Sequence, residues 1–201
     1  MAGRAQTNQK GAAARGQARP GGRTQRVRNA VFSAVLDRLK DGDSNFSFQD
    51  IAKDAGVHVA TIYARWPERA SLVMAAYEEH MRKLDIPSTS KWESYLHKLG
   101  IALRDFLNDP VEITANKLLI TAGDTAYRDQ MVRRFASVAG DLAKPLEAAK
   151  AGGRIRAEVD CVLVVYMIIA PILSLIMFTG QVPDDAYVRN IVDHLIHACR
   201  A

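Results

Sequence analysis

Residues 161–178, CVLVVYMIIAPILSLIMF, hold one Ser and no charge over eighteen positions. A helix of that composition has no face suited to water, so its surroundings must be lipid, the core of its own domain or a second copy of the chain. Its length sits at the lower edge of a bilayer span, because about 20 residues are needed to cross roughly 30 Å of hydrocarbon. Pro171 falls near its middle and no aromatic anchors flank it. Burial in protein is the expected fate, and the rest of the sequence has to supply the partner surface.

That remainder reads as helix from Val27 onward, with apolar residues recurring at three and four. Val27, Val31, Val35 and Leu39 give the stripe of a first helix that ends near Asp41-Gly42-Asp43. Ser47 with Asp50 forms a capping box for a short second helix through Ala55, and Gly56 stops it. A third short helix runs from about Val59 to Arg65, and Pro67 suits the first turn of a fourth that continues to Leu84 before Pro87. Ser90 with Glu93 reads as a second box opening a fifth helix to Leu107, and Asp109-Pro110 opens a sixth. A long seventh helix spans about Ala126 to Lys150, where Pro145 predicts a kink or local break. Asp160 caps the apolar run, and a last helix extends from Asp184 or Asp185 to Ala198. No stretch alternates like a strand, so the expected fold class is all-α.

Charge is distributed unevenly within the net +5. Arg4, Lys10, Arg15, Arg19, Arg23, Arg26 and Arg28 all precede the first acid, Asp37. Residues 1–26 are rich in Gly, Ala, Gln and Arg with almost nothing large and apolar, which predicts a disordered basic arm. The arm lacks the apolar centre of a secretory signal and the amphipathic face of a transit peptide. Its charge suits phosphates. Cys161 and Cys199 have no motif spacing, and a reducing cytoplasm is the expected compartment.

Within residues 46–72, FSFQDIAKDAGVHVATIYARWPERASL, two short helices flank the turn Gly56-Val57-His58. Ile51, Ala52, Ala55, Val57 and Ile62 are spaced to close a small core between them, and Gly56 supplies a left-handed corner. That spacing predicts a helix-turn-helix whose second helix enters a DNA major groove. The groove helix offers His58, Val59, Ala60, Thr61, Ala64 and Arg65, a slender set without a carboxylate to repel phosphate. Tyr63 and Arg69 lie where a phenol and a guanidinium would pin phosphates on either side.

On these residues the segment resembles the N-terminal domain of the TetR family of bacterial transcriptional regulators. The resemblance rests on Asp50-Ile51-Ala52, Ala55-Gly56-Val57, Thr61-Ile62-Tyr63, Trp66, Arg69 and Leu72, and it covers about residues 27–76. The segments GRIRAEVD and DDAYVRNIVDHLI also resemble the openings of that family's last two helices. Departures are His58 in place of a capping Ser or Thr, Trp66 for Phe, Arg69 for Lys and Ala70 for an acid. Val59 and Ala60 leave few hydrogen bonds for reading bases and favour thymine methyl groups.

The resemblance implies a DNA-binding domain at 27–75 and a helical ligand-binding and dimerisation domain at 76–201. It assigns phosphate contacts to Ser47, Tyr63 and Arg69, and groove contacts to His58, Val59, Ala60, Thr61 and Arg65. With a reader present, Arg23, Arg26 and Arg28 become expected phosphate or minor-groove contacts. The resemblance also places a homodimer interface on the last two helices, about 161–178 and 185–198, which gives the uncharged run two protein faces and no need of a membrane. The expected function is a ligand-responsive repressor acting as a homodimer on a palindromic double-stranded operator. The alternative is an architectural DNA-binding protein without an effector.

The fifth to eighth helices carry Tyr95, Leu99, Leu103, Phe106, Leu118, Thr121, Phe135, Tyr166 and Met167. A pocket made from them would be mostly apolar with one or two polar handles, suiting a small apolar or aromatic effector. His194, His197 and Cys199 lack further ligands at metal spacing, so no metal and no cofactor is expected. Catalysis has no visible basis, because no phosphate loop, zinc motif or nucleophile beside a base is present.

Overall fold

The structure, a computed structural model, describes residues 22–86, 89–121 and 125–201. In these residues the helices are α1 (Gly22–Lys40), α2 (Phe48–Ala55), α3 (Val59–Tyr63), α4 (Arg69–Met81), α5 (Trp92–Leu107), α6 (Pro110–Thr121), α7 (Thr125–Ala151), α8 (Cys161–Thr179) and α9 (Asp185–Cys199). An isolated antiparallel bridge between Ile155 and Arg200 is the sole β feature of the described residues.

Several boundaries follow local chemistry. Ser47 Oγ accepts from the Asp50 N–H while the Asp50 carboxylate accepts from the Ser47 N–H, so the box before α2 is complete. Asp160 caps α8 through the Val162 and Leu163 N–H groups, and Asp184 caps α9 through Tyr187.

Other boundaries differ from the sequence expectation. Helix α1, Gly22–Lys40, takes in residues 22–26 of the stretch expected to be arm, and no Pro or further Gly interrupts it from Arg23 onward. The rest of the arm, residues 1–21, lies outside the described residues. Pro67 falls ahead of α4, whose N-cap is Glu68. Ser90 does not cap α5; Lys91 takes that position, buried Trp92 anchors the entry, and Glu93 faces Arg200. Helix α7 runs through Pro145 without a local break, its faces packed into the second cluster on both sides of the proline.

Two apolar clusters organise the chain. The first joins α1 to α4 around Val31, Val35, Leu39, Ile51, Ile62, Leu72 and Tyr77, and it takes in Val111 and Ala115 of α6 and Met131 of α7. The second joins α5, α7, α8 and α9 around Leu96, Leu99, Leu146, Ile168, Ile172 and Val192. The small N-terminal bundle is therefore seated on α6 and α7, and α7 runs from the first cluster, through Met131, into the second, through Ala139 and Leu146.

Helix α8 answers the question posed by its sequence. By length and composition it could cross a membrane, yet Cys161, Val164, Val165, Ile168, Ile172 and Ile176 are packed inside the second cluster. Its other side stays bare: Leu163 and Met167 are about half exposed, at 52% and 49%, and Phe178 is 83% exposed. Val182 and Tyr187 continue this apolar surface toward α9.

Gly100 lets α5 and α9 approach closely. A Cβ there would lie 2.9 Å from Val188 Cγ1 and 3.1 Å from Val192 Cγ2. Gly100→Leu is accordingly expected to lower unfolding stability by about 1–3 kcal/mol through overpacking. Urea denaturation followed by circular dichroism would measure it, and an unchanged midpoint would contradict the close approach.

Candidate functional site

The α2–α3 unit is a helical corner fixed by one glycine. Gly56 has φ 64° and donates to the Ala52 and Lys53 carbonyls, while Val57 N–H donates to Ala52 O at 2.9 Å. A side chain at that left-handed position would be strained, so the turn needs this residue. Ser47's hydrogen bonds hold the Asp50 carboxyl below its ordinary range. The carboxylate half of this cap is therefore intact at neutral pH and is lost as pH falls through the lowered value. Arg38 ties α1 to the corner, its Nε 2.7 Å from Asp54 and its Nη1 2.9 Å from Asp43.

Helix α3 is only one turn long and buries Ile62 alone. His58 is its N-cap with no side-chain cap bond, which leaves the imidazole exposed and uncommitted to the helix. Ala60 is exposed, and Val59 and Thr61 are half-buried. Arg65 is exposed and reaches back to the Thr24 carbonyl at 3.4 Å. Tyr63 packs edge-on against Phe48 at 4.7 Å between ring centroids yet remains 49% exposed. Packing of the ring and exposure of the residue coexist there. Ser47 is exposed at the start of α2.

The remaining basic residues differ in orientation. Arg69 donates from Nε to the Phe46 carbonyl at 3.1 Å and stacks over the Phe46 ring at 4.8 Å. Arg26 is exposed and reaches the Gly22 carbonyl. Arg28 turns toward α4, 3.8 Å from Glu79 and over the Phe32 ring. Arg23 lies in α1, but its side chain is outside the described residues.

A cavity of about 400 Å³ lies among α4, α5, α6, α7 and α8. Of the residues expected to line a pocket, Leu103, Phe106, Phe135 and Tyr166 do so. Tyr95 and Leu99 do not; both are buried in the second cluster, with the Tyr95 hydroxyl donating to Leu142 O at 2.7 Å. Leu118 packs against the first cluster, Thr121 is exposed and donates to Lys117 O, and Met167 lies on the bare side of α8. The wall also contains residues the sequence did not single out, among them Tyr77, Met81, Leu107, Glu112, Asn116, Ile169 and Leu173. Exposed Ile120 and Tyr166 stand where it opens.

One carboxylate stands in this largely apolar wall. Glu112 is 1% exposed; its Oε2 accepts from the Tyr77 hydroxyl at 2.7 Å and its Oε1 stands 3.2 Å from His80 Nε2. The latter is an ion-pair contact, and by geometry Glu112 Oε1 and both His80 nitrogens are buried without a hydrogen bond. Burial pushes the Glu112 carboxyl above its ordinary range, against the pull of His80 and Tyr77. Asn116 donates to the Glu112 main-chain carbonyl at 2.8 Å, and Phe106 stacks near His80 at 5.2 Å.

Residues 86–195, more than half of the chain, match the family described as "Tetracyclin repressor-like, C-terminal domain". The chain is 29% identical over 175 residues to the uncharacterised helix-turn-helix regulator YdeS of Bacillus subtilis, covering 85% of this chain and 88% of that one. It is 23% identical over 176 residues to the DNA-binding transcriptional repressor TetR of Mycobacteroides abscessus, covering 85% and 92%. In fold it is similar to a TetR regulator from Agrobacterium tumefaciens, with TM-score 0.73, 20% identity and coverage of 87% and 95%. It is also similar to the fatty acid degradation regulator FadR of Bacillus halodurans, with TM-score 0.68, 18% identity and coverage of 86% and 99%. The matched family, spanning four of the five helices around the cavity, α5 to α8, together with the α2–turn–α3 corner ahead of it, means that this chain belongs to the TetR family of DNA-binding transcriptional regulators.

Proposed function

We propose that the protein is a cytoplasmic homodimeric repressor that releases a palindromic operator when a small apolar molecule enters the α4–α8 cavity. The observation that carries this reading is the position of α4. It starts at Arg69, whose Nε is bonded to Phe46 just ahead of α2, and ends at Met81, which lines the cavity. An occupant that prefers one placement of α4 changes the separation of the two readers, and the shift requires different affinities for the two states. The volume of about 400 Å³ is within the range of small-molecule sites.

His58, Val59, Ala60, Thr61 and Arg65 are assigned to the major groove, and Ser47, Tyr63, Arg69, Arg26 and Arg23 to the DNA backbone or minor groove. Arg28, engaged with Glu79, fits better as a tie between α1 and α4. The bare α8 face and its continuation into α9 form the proposed dimer interface, a self-complementary patch about a two-fold axis.

Paired variants separate positioning from reading. Arg69→Ala is expected to weaken all duplexes by similar factors and reduce the salt slope by about one, whereas Arg65→Ala relaxes preference at particular base pairs. Binding across a salt series to operator and to random duplex measures both. Sequence-indifferent binding by the unmodified protein would instead favour an architectural role.

A further inference from the structure

The cavity wall is not chemically neutral. Among the described residues that line it there is no Lys, Arg or His, and Glu112 is its single ionisable carboxylate. Glu112 Oε1 is an acceptor without a hydrogen bond, while Oε2 is already occupied by the Tyr77 hydroxyl. Behind it, His80 stands between two carboxylates, 3.2 Å from Glu112 and 4.0 Å from Asp109.

We infer that the effector is an apolar molecule bearing one basic nitrogen, seated with its ammonium on Glu112. This rests on the effector-cavity reading above and narrows it to a chemical class. Burial favours the neutral carboxyl, so an arriving amine takes its proton, having shed any proton of its own to solvent, and the ammonium–carboxylate pair that forms gains a charge-assisted hydrogen bond. Phe106, Phe135 and Tyr166 line the same space, and an aromatic ring within about 6 Å of an ammonium favours it further. A carboxylate-bearing molecule would meet Glu112 and find no counter-ion on the described wall. The Glu112 carboxylate is also held by Tyr77 of α4, so an ammonium competing for it acts directly on the helix that leads to the DNA reader.

Three probes that differ only in their head group test this: decylamine, decan-1-ol and decanoate, each below its micelle concentration. Calorimetric titration of the full chain is expected to give decylamine at least about tenfold tighter than decanoate, with decan-1-ol between them. Glu112→Gln, which keeps the side chain's shape, is expected to cut decylamine affinity about tenfold or more and leave decan-1-ol unchanged. Equal binding of all three, tighter decanoate, or a Gln variant that retains the amine preference would overturn the inference while leaving the cavity as an effector site. Failure of all three to bind would overturn the cavity reading and the inference together. The head-group ranking on the unmodified chain decides the matter even if the variant does not fold.

Discussion

Met167→Glu is expected to separate the dimer and lower operator affinity by at least about 10³-fold, the scale that divides specific from non-specific binding. Met167 is 49% exposed in the single chain and makes up part of the bare face of α8 with Leu163 and Phe178. An exposed substitution of this kind changes the folding of one chain by roughly 0.5 kcal/mol or less. About a two-fold axis, however, every change occurs twice on the same patch, so two carboxylates would be buried together in an apolar contact. Loss of the partner leaves one reader on one half-site. Sedimentation at micromolar concentration and an operator titration would measure both effects. A Met167→Glu protein that remained dimeric and bound normally would remove α8 from the interface.

Phe135→Trp is expected to abolish the effector response while preserving the melting temperature and operator affinity. Phe135 is half-buried on α7 and lines the cavity, so the larger indole has empty volume to enter. Leu173→Trp on α8 approaches the same space from the facing helix and should behave alike. Were these positions close-packed core, each substitution would cost about 1–3 kcal/mol by overpacking and melting would fall. Melting curves with and without decylamine, beside operator release, distinguish the outcomes. Lower melting at both positions, with release intact, would contradict a cavity functioning as the effector site.

The reader was more legible in the sequence than the cavity, and the reason is distance along the chain. Ser47 and Asp50 are three residues apart, and the Gly56 turn closes through Ala52 and Lys53, so local chemistry specifies both. The caps at Asp160 and Asp184 are local in the same sense. The cavity depends on which helix faces which. Tyr95, Leu99, Leu103 and Phe106 all sit on α5, and periodicity marks their shared inward side. It does not reveal that Tyr95 reaches α7 while Leu103 and Phe106 border empty space.

Glu112 illustrates the same limit. In sequence it is an acid in the first turn of a helix, well placed for the helix dipole and for solvent. Its burial against Tyr77 and His80 arises because α4 and α6 meet, thirty-five residues apart in the Tyr77 hydrogen bond. Arg28 shows the reverse case. The run of basic residues ahead of Asp37 pointed as a group toward DNA, yet Arg28 faces Glu79 because α1 packs against α4.

Two copies of this reader are expected to act together on one operator. Selection of duplexes bound by the full chain from a random pool tests it most directly, since a two-fold dimer presents its recognition helices in opposite senses. The expected result is an enriched inverted repeat whose half-sites are centred about one helical turn, 34–36 Å, or a multiple of it apart. Enrichment of a single asymmetric site, or no enrichment above the input pool, would contradict it.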